Sequence, residues 1–164
     1  QILTKLFLPK VDLQAIVLEK ANLRDAVLIG GNFEQAKLKE SSLHSANLQG
    51  SNFIWSDLEL SDLKDANMQF AILQRAYLLK ADLRRANMQY SNLQGSNLNE
   101  ANLQDANLEG ANLQRASLQG ANLKNTNLKN ADLTQSQVTQ SQINVAIGNQ
   151  NTILPENLTR PQHW

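Results

Sequence analysis

A large hydrophobic side chain recurs at every fifth position over most of this chain. Every fifth residue from Leu8 to Leu133 is Leu, Phe or Met. A period of five matches neither the 3.6-residue turn of an α-helix nor the two-residue alternation of a β-strand. A straight helix would spread these side chains around its whole circumference. The spacing therefore excludes an ordinary amphipathic element and indicates a repeat architecture.

The other positions of the five-residue unit also have distinct residue types. A small residue stands two positions before each large one, as Ala21 does before Leu23, and the residue between them is mostly Asn or Asp, as Asn22 is. The two positions after the large residue are variable and mostly polar. We expect the small and the large side chain to point inward from a short extended side. Asn and Asp suit the tight turn that each corner then requires.

Four such units make a square coil of twenty residues. Stacked coils would pair their backbones at the ~4.8 Å spacing of neighbouring strands, and about six coils are expected. One large and one small side chain for each side would fill the interior at native packing density. The twenty-residue register places Asn47 beneath Asn67 and Phe33 beneath Phe53. The sequence thus predicts an all-β solenoid with ladders of like residues.

The unit Ala-Asn-Leu-x-x resembles the consensus Ala-(Asp/Asn)-Leu-x-x of the pentapeptide-repeat family. The resemblance covers about Val11 to Gln135, and the best copies run from Ser91 to Asp132. It implies a right-handed quadrilateral parallel β-helix. Departures from the consensus concentrate in the first coils, which we therefore expect to be irregular: Val11, Ile16, Val17, Val27 and Lys37.

Both ends of a solenoid expose core and backbone edges unless something covers them. The predicted domain organisation is a lid at residues 1–10, a β-helix at 11–135, and a capping helix with a tail at 136–164. The lid residues precede Pro9 and are Ile2, Leu3, Leu6, Phe7 and Leu8.

The capping helix is expected to lie across the last coil. Thr139 or Ser136 would cap its start and Gly148 would end it. Its predicted apolar face holds Ile143, Ala146 and Ile147. The tail resembles the C-terminal extensions of cyanobacterial family members, and we expect Trp164 to act as a packing anchor.

Composition excludes several classes of site. Fifteen basic residues balance fifteen acidic ones, which argues against nucleic acid as a partner. The chain has no cysteine, so disulfides and thiolate metal sites are excluded. No constellation of catalytic residues, no cofactor site and no metal site is predicted. His44 and His163 are interpreted as surface residues, and the acidic run from Asp57 to Asp65 as a solvated face.

The sequence leaves the compartment open. No apolar run approaches the roughly 18 to 20 residues of a membrane-spanning helix. Since the chain begins at Gln1 rather than Met, we expect an upstream segment that was removed by processing or by the design of the expressed chain. A cytoplasmic location is favoured, and the periplasm or the thylakoid lumen is the alternative if that segment was a signal.

Apolar residues occupy outward positions of the middle coils, where the repeat elsewhere is polar. Clustered exposed apolar side chains are typical of an interaction surface. The alternatives are that they shield backbone or form a crystal or dimer contact. The predicted partner-binding residues are Ile54, Trp55, Leu60, Phe70, Ile72, Tyr77, Leu79 and Tyr90.

The leading functional hypothesis is a non-enzymatic scaffold for an unidentified protein partner, as a monomer or an end-to-end dimer. Two alternatives come from the family resemblance: a DNA-mimicking, gyrase-binding protein, and a regulator of a bacterial transcription or differentiation factor. Zero net charge argues against the first, because that branch carries strongly acidic faces. An enzyme ranks last because a rod without a pocket cannot enclose a substrate.

Overall fold

The backbone winds into a four-sided parallel β-solenoid. A computed structural model describes residues 2–164. Isolated parallel bridges join residues twenty apart, beginning with Ile2 and Asn22 and continuing to Ser117 and Gln137. Each bridge is one residue long, and a two-residue turn separates it from the next. The helix α1, Gln140–Asn144, follows the last complete coil.

The four sides are numbered by their large inward residues. In the coil from 61 to 80 these residues are Leu63 on side 1, Met68 on side 2, Leu73 on side 3 and Leu78 on side 4. A corner takes the numbers of the two sides that it joins. The twenty-residue period repeats this assignment in every coil.

Each corner is a β-turn with a left-handed residue. The carbonyl of Leu18 accepts a hydrogen bond from the N–H of Ala21 at 3.1 Å, and Lys20 between them has φ +57°. Glycine occupies some corners, such as Gly95, but Trp55 has the same positive φ at +57°. The ladders hold this backbone conformation, so residues other than glycine adopt it at most corners, although none of them is β-branched.

The Asn and Asp residues act both within a coil and between coils. The Asn52 Oδ1 accepts the N–H of Ile54 at 3.0 Å, and its Nδ2 donates to Asn32 Oδ1 in the coil below at 3.3 Å. The first bond closes an Asx turn and the second extends a ladder. These bonds explain why the unit favours Asn or Asp directly before its large residue.

The interior is a continuous apolar column. From Leu23 to Leu133 the large inward residues are buried, and the small ones beside them are Ala, Ser, Thr or Gly. Phe33 and Phe53 stack with ring centroids 4.7 Å apart and planes 5° from parallel, as the register predicts. Burying each Leu contributes on the order of 2 kcal/mol.

The N-terminal segment is part of the solenoid, so the prediction of a lid is wrong for residues 2–10. Phe7 bridges Val27 one coil above, and the Leu8 N–H donates to the Val27 carbonyl at 2.9 Å. Ile2 and Phe7 occupy the outward position that Asn holds elsewhere, so their side chains are 83% and 69% exposed. The ladder of parallel bridges therefore begins at Ile2 rather than at residue 11.

The C-terminal cap differs from the prediction in its helix. Helix α1 begins after Thr139, which forms a capping box with Gln142, and Ile143 is buried. The helix ends at Asn144, so Ala146 and Ile147 lie beyond it. Ile147 bridges Asn127 and is 42% exposed, because its backbone continues the ladder of side 2.

Beyond the helix, the tail packs against the last coil. The Trp164 Nε1 donates to the Ala146 carbonyl at 3.0 Å, and its ring lies against Gly148. Gly148 therefore does not end the helix as predicted. Its lack of a side chain makes room for the Trp164 ring.

Candidate interaction surface

The structure places all eight predicted binding residues on sides 3 and 4 and on the corners that bound them. We call this set the apolar surface. The coil from 61 to 80 contributes Phe70 at corner 2–3, Ile72 on side 3, and Tyr77 and Leu79 on side 4. The coils directly below and above contribute the rest of the set: Ile54, Trp55, Leu60 and Tyr90.

Phe70 and Tyr90 form one end of the apolar surface. Their ring centroids lie 5.5 Å apart with planes 12° from parallel, and each side chain is 53% exposed. The Tyr90 ring continues over Gly110, where any Cβ would meet it at 2.5 Å. The two stacked rings therefore expose aromatic edges side by side along the corner.

Trp55, Tyr77 and Leu79 line a shallow groove on side 4. Trp55 is 42% exposed and Tyr77 is 47% exposed. Asp57 and Glu59 also line this groove. The combination of aromatic faces with a polar border is typical of a protein-binding surface.

Ile54 and Leu60 lie at the margins of the surface. Ile54 is half-buried on side 3 next to Trp55. Leu60 lies at corner 4–1, where its N–H donates to the Leu79 carbonyl at 2.9 Å. The eight residues thus comprise the Phe70–Tyr90 stack, the groove of Trp55, Tyr77 and Leu79, and three residues on the sides and corners around them, with Leu60 at the far edge.

Several charged residues of the rod form ion pairs between coils. Arg85 donates two hydrogen bonds of 2.7 Å to Asp65 in the coil below, and this contact holds the pKa of Asp65 below its ordinary value. Lys39 contacts Glu59 at 3.0 Å. The acidic run from Asp57 to Asp65 is divided between sides 4 and 1.

Two other classes of site are absent from residues 2–164. Within that range no group of three or more His, Asp or Glu side chains is close enough to hold a metal ion. No helix described there is long and apolar enough to cross a membrane.

Comparison with known proteins identifies the repeat. The family model "Pentapeptide repeats (8 copies)" matches residues 10–44, 32–65, 61–99 and 96–135. Together these matches span about three quarters of the chain. The chain belongs to the pentapeptide-repeat family. None of the curated proteins compared with it gives a match.

Several solved structures of pentapeptide-repeat proteins are similar to this chain. HetL, involved in heterocyst differentiation regulation in the cyanobacterium Nostoc sp. strain PCC 7120, is 22% identical over 99% of this chain and 90% of its own, with a TM-score of 0.44. A trypsin-treated form of QnrB1, a plasmid-mediated fluoroquinolone resistance protein, is 16% identical over 98% and 86%, with a TM-score of 0.49. The Nostoc protein alr5209 is 28% identical over 78% and 77%, with a TM-score of 0.27.

Against the pentapeptide-repeat pattern, one further feature stands out that the sequence interpretation missed. Corner 3–4 carries, from one coil to the next, Trp55, Arg75, Gly95 and Arg115. An open notch of about 340 Å³ lies at this corner beside Ile54. Reading the corner residues at intervals of twenty would have placed these side chains in one column.

Proposed function

We propose that this pentapeptide-repeat chain is a non-enzymatic scaffold that binds a protein partner through the apolar surface. One observation carries the proposal: the Phe70–Tyr90 stack and the groove of Trp55, Tyr77 and Leu79 expose large apolar side chains on two adjoining sides of neighbouring coils. Clustered exposed apolar side chains on a protein surface are typical of interaction sites.

The physical argument rests on rigidity as well as exposure. The ladders fix the backbone of every coil, and the ring stack of Phe70 on Tyr90 limits side-chain motion. A binding surface that is already ordered loses little conformational entropy when a partner docks. Aromatic side chains are also the residues that most often dominate binding energy.

The test is affinity capture from the native organism with the wild-type rod and with a triple variant, Trp55→Ser, Phe70→Ser and Tyr77→Ser. We expect specific partners to be lost from the triple variant. A matched control removes three exposed apolar side chains elsewhere: Phe7→Ser, Val17→Ser and Ile29→Ser. Circular dichroism must show that both variants keep their fold. Equal capture by wild type and the first triple variant would sink the proposal.

The family-based alternatives make different predictions. A regulator of a transcription or differentiation factor is a special case of this proposal, in which the captured partner is such a factor. A DNA-mimicking, gyrase-binding protein requires a strongly acidic face, whereas pairs such as Lys80 with Glu100 alternate along the corners here. A supercoiling assay with gyrase decides this alternative, since inhibition or protection by the rod would support it.

Oligomeric state and compartment remain predictions. An end-to-end dimer would cover Leu8, an inward residue of the first coil that is 40% exposed at the N-terminal end. Sedimentation equilibrium of wild type and Leu8→Ser would show whether that side chain supports a dimer. Localisation of a tagged chain in the native organism would test the favoured cytoplasmic location.

A further inference from the structure

The notch at corner 3–4 exists because one residue of the column has no side chain. Gly95 lies between Arg75 in the coil below and Arg115 in the coil above. Adjacent coils are separated by ~4.8 Å, so the backbones that carry the two arginines are roughly 10 Å apart. A side chain at position 95 would fill this interval. Glycine leaves it open and about 340 Å³ in volume.

Both arginines are held in place by neutral neighbours. The Arg75 guanidinium lies over the Trp55 ring, 4.9 Å from its centroid, as in a cation–π contact. The Arg115 Nε donates to Gln135 Oε1 at 2.9 Å. These contacts fix the two side chains but leave their positive charges uncompensated.

Other arginines of the rod have acidic partners. Arg85 pairs with Asp65 and Arg84 with Asp82, whereas neither Arg75 nor Arg115 forms an ion pair within residues 2–164. Between Ile72 and Gln119 these two arginines are also the only charged residues on sides 3 and 4 and their shared corner. The notch is therefore locally electropositive on a chain whose net charge is zero.

We infer that this notch receives the carboxylate of an Asp or Glu side chain of a protein partner. Guanidinium groups bind carboxylates through paired, charge-assisted hydrogen bonds, and both arginines line the notch. Trp55 and Tyr77 border the notch and offer an apolar contact beside it. The inference rests on the proposed function and adds the chemistry of the partner: an acidic residue next to apolar ones.

The charge pattern favours a protein over a nucleic acid. Nucleic-acid affinity comes from neutralising many phosphates along a basic track. Here the positive charge is confined to two arginines, and the apolar surface begins directly beside them. A single carboxylate with apolar neighbours is complementary to both features.

The decisive variant fills the notch without altering either arginine. Gly95→Gln is compatible with the backbone, because Gln35 has φ +57° in the same column and Gly95 has +67°. Its Cβ would lie 3.6 Å from the Arg75 Cγ, which is an ordinary contact. The matched control is Gly30→Gln, with φ +64° and a Cβ 3.5 Å from the Lys10 Cγ, at corner 2–3 and three coils below Gly95.

The probe is a phage-displayed library of random twelve-residue peptides panned on the full chain. We expect enriched peptides to carry Asp or Glu beside Leu, Ile, Phe or Trp. For a synthetic peptide from the enriched set, fluorescence anisotropy should show a dissociation constant raised at least tenfold by Gly95→Gln and unchanged by Gly30→Gln. Loss of one charge-assisted contact accounts for a change of about that size.

Charge removal gives an independent readout. The double variant Arg75→Gln and Arg115→Gln should abolish the selection for acidic peptides. The double variant Arg75→Glu and Arg115→Glu should instead bind a peptide whose acidic residue is replaced by Lys. A merely structural role of the arginines would not reverse the preferred charge.

The remaining outcomes separate this inference from the proposed function. Peptides that require Trp55 and Tyr77 but show no acidic preference would overturn the inference and leave the proposed surface intact. Enriched peptides that bind independently of Trp55 and Tyr77, or a complete lack of enrichment, would count against both. A labelled single-stranded oligonucleotide that binds the wild type and is displaced by Gly95→Gln would overturn the assignment to a protein partner.

Discussion

Replacing Gly148 by Ala should destabilise the C-terminal cap. This is unusual, because Gly→Ala normally stabilises a protein where the backbone is not left-handed. Gly148 does not have a positive φ, so the backbone accepts Ala there without strain. The obstacle is the Trp164 ring, whose Cε3 atom would overlap with the new Cβ. Since real Cβ atoms do not approach other atoms that closely, the ring must leave its position.

The magnitude follows from the contacts that the ring then loses. Its Nε1 gives up the 3.0 Å hydrogen bond to the Ala146 carbonyl, which contributes about 1 kcal/mol. Displacing the ring from the partly buried site costs about 1 to 3 kcal/mol more, as overpacking substitutions do. The unfolded chain has less conformational entropy with Ala than with Gly, and this difference offsets about 0.5 kcal/mol of the loss in stability. We expect a net loss of about 2 kcal/mol in the free energy of unfolding.

A double-mutant cycle measured by urea denaturation isolates this clash. In a Trp164→Ala background the ring no longer obstructs a Cβ at position 148, so Gly148→Ala should then be neutral or stabilising by about 0.5 kcal/mol. Tryptophan fluorescence in a Trp55→Phe background reports the ring directly, and its emission should shift to the red. If Gly148→Ala costs the same with and without Trp164, the ring does not lie on Gly148 and the reasoning is refuted.

Two other predictions concern the core and the ion pairs. Leu73→Ala should lower the free energy of unfolding by about 3 to 5 kcal/mol, because the ladders prevent the interior from collapsing into the cavity. Replacing the half-buried Leu79 by Ala should cost under about 1 kcal/mol. Equal effects of the two substitutions in urea denaturation would contradict the assignment of Leu73 to the interior and Leu79 to the surface. The Arg85 contact lowers the pKa of Asp65 below 3.8, so the pair stabilises the fold above that pH and loses its effect as pH falls through the lowered pKa. The melting temperature of Arg85→Gln should therefore lie below that of wild type at pH 7 and converge with it below pH 3.8, and a difference that stays constant with pH would exclude this role.

The body of the rod was predictable because one physical requirement repeats in every unit. The interior admits one large and one small residue for each side, so the period of Leu23 and its equivalents defines the inward positions. The Asn ladder and the Phe33 stack on Phe53 follow from the same register. Handedness is different, since the residue pattern is compatible with either hand and only the family resemblance implies one.

The structure of the two ends was less predictable, because it depends on which backbone groups of the first and last coils form hydrogen bonds rather than on the residue pattern. Phe7 resembles a lid residue by its hydrophobicity, yet the backbone bonds of Leu6 and Leu8 to Val27 hold it in the ladder and place its side chain outward. Ile147 fits a helical face by its spacing but joins the ladder with Asn127 for the same reason. The notch was missed because Gly95 creates it by lacking a side chain, which a search for conspicuous residues does not detect.

All corners have the same backbone conformation, so we expect the free energy of unfolding to depend little on which residue occupies a corner position. Corner residues as different as Ser45 and Trp55 have φ near +57°, so exchanging them changes no backbone geometry. Ser45→Gln should therefore alter the free energy of unfolding by no more than about 0.5 kcal/mol. The same substitution at the inward Ser51, which is fully buried and donates to the Leu28 carbonyl at 2.8 Å, should cost about 3 kcal/mol or prevent folding. Urea denaturation of the two variants compares these values, and a large cost at Ser45 would show that corners constrain the fold. If the predicted contrast holds, the rod can change its corner residues, and hence its partner, while its interior and its fold stay the same.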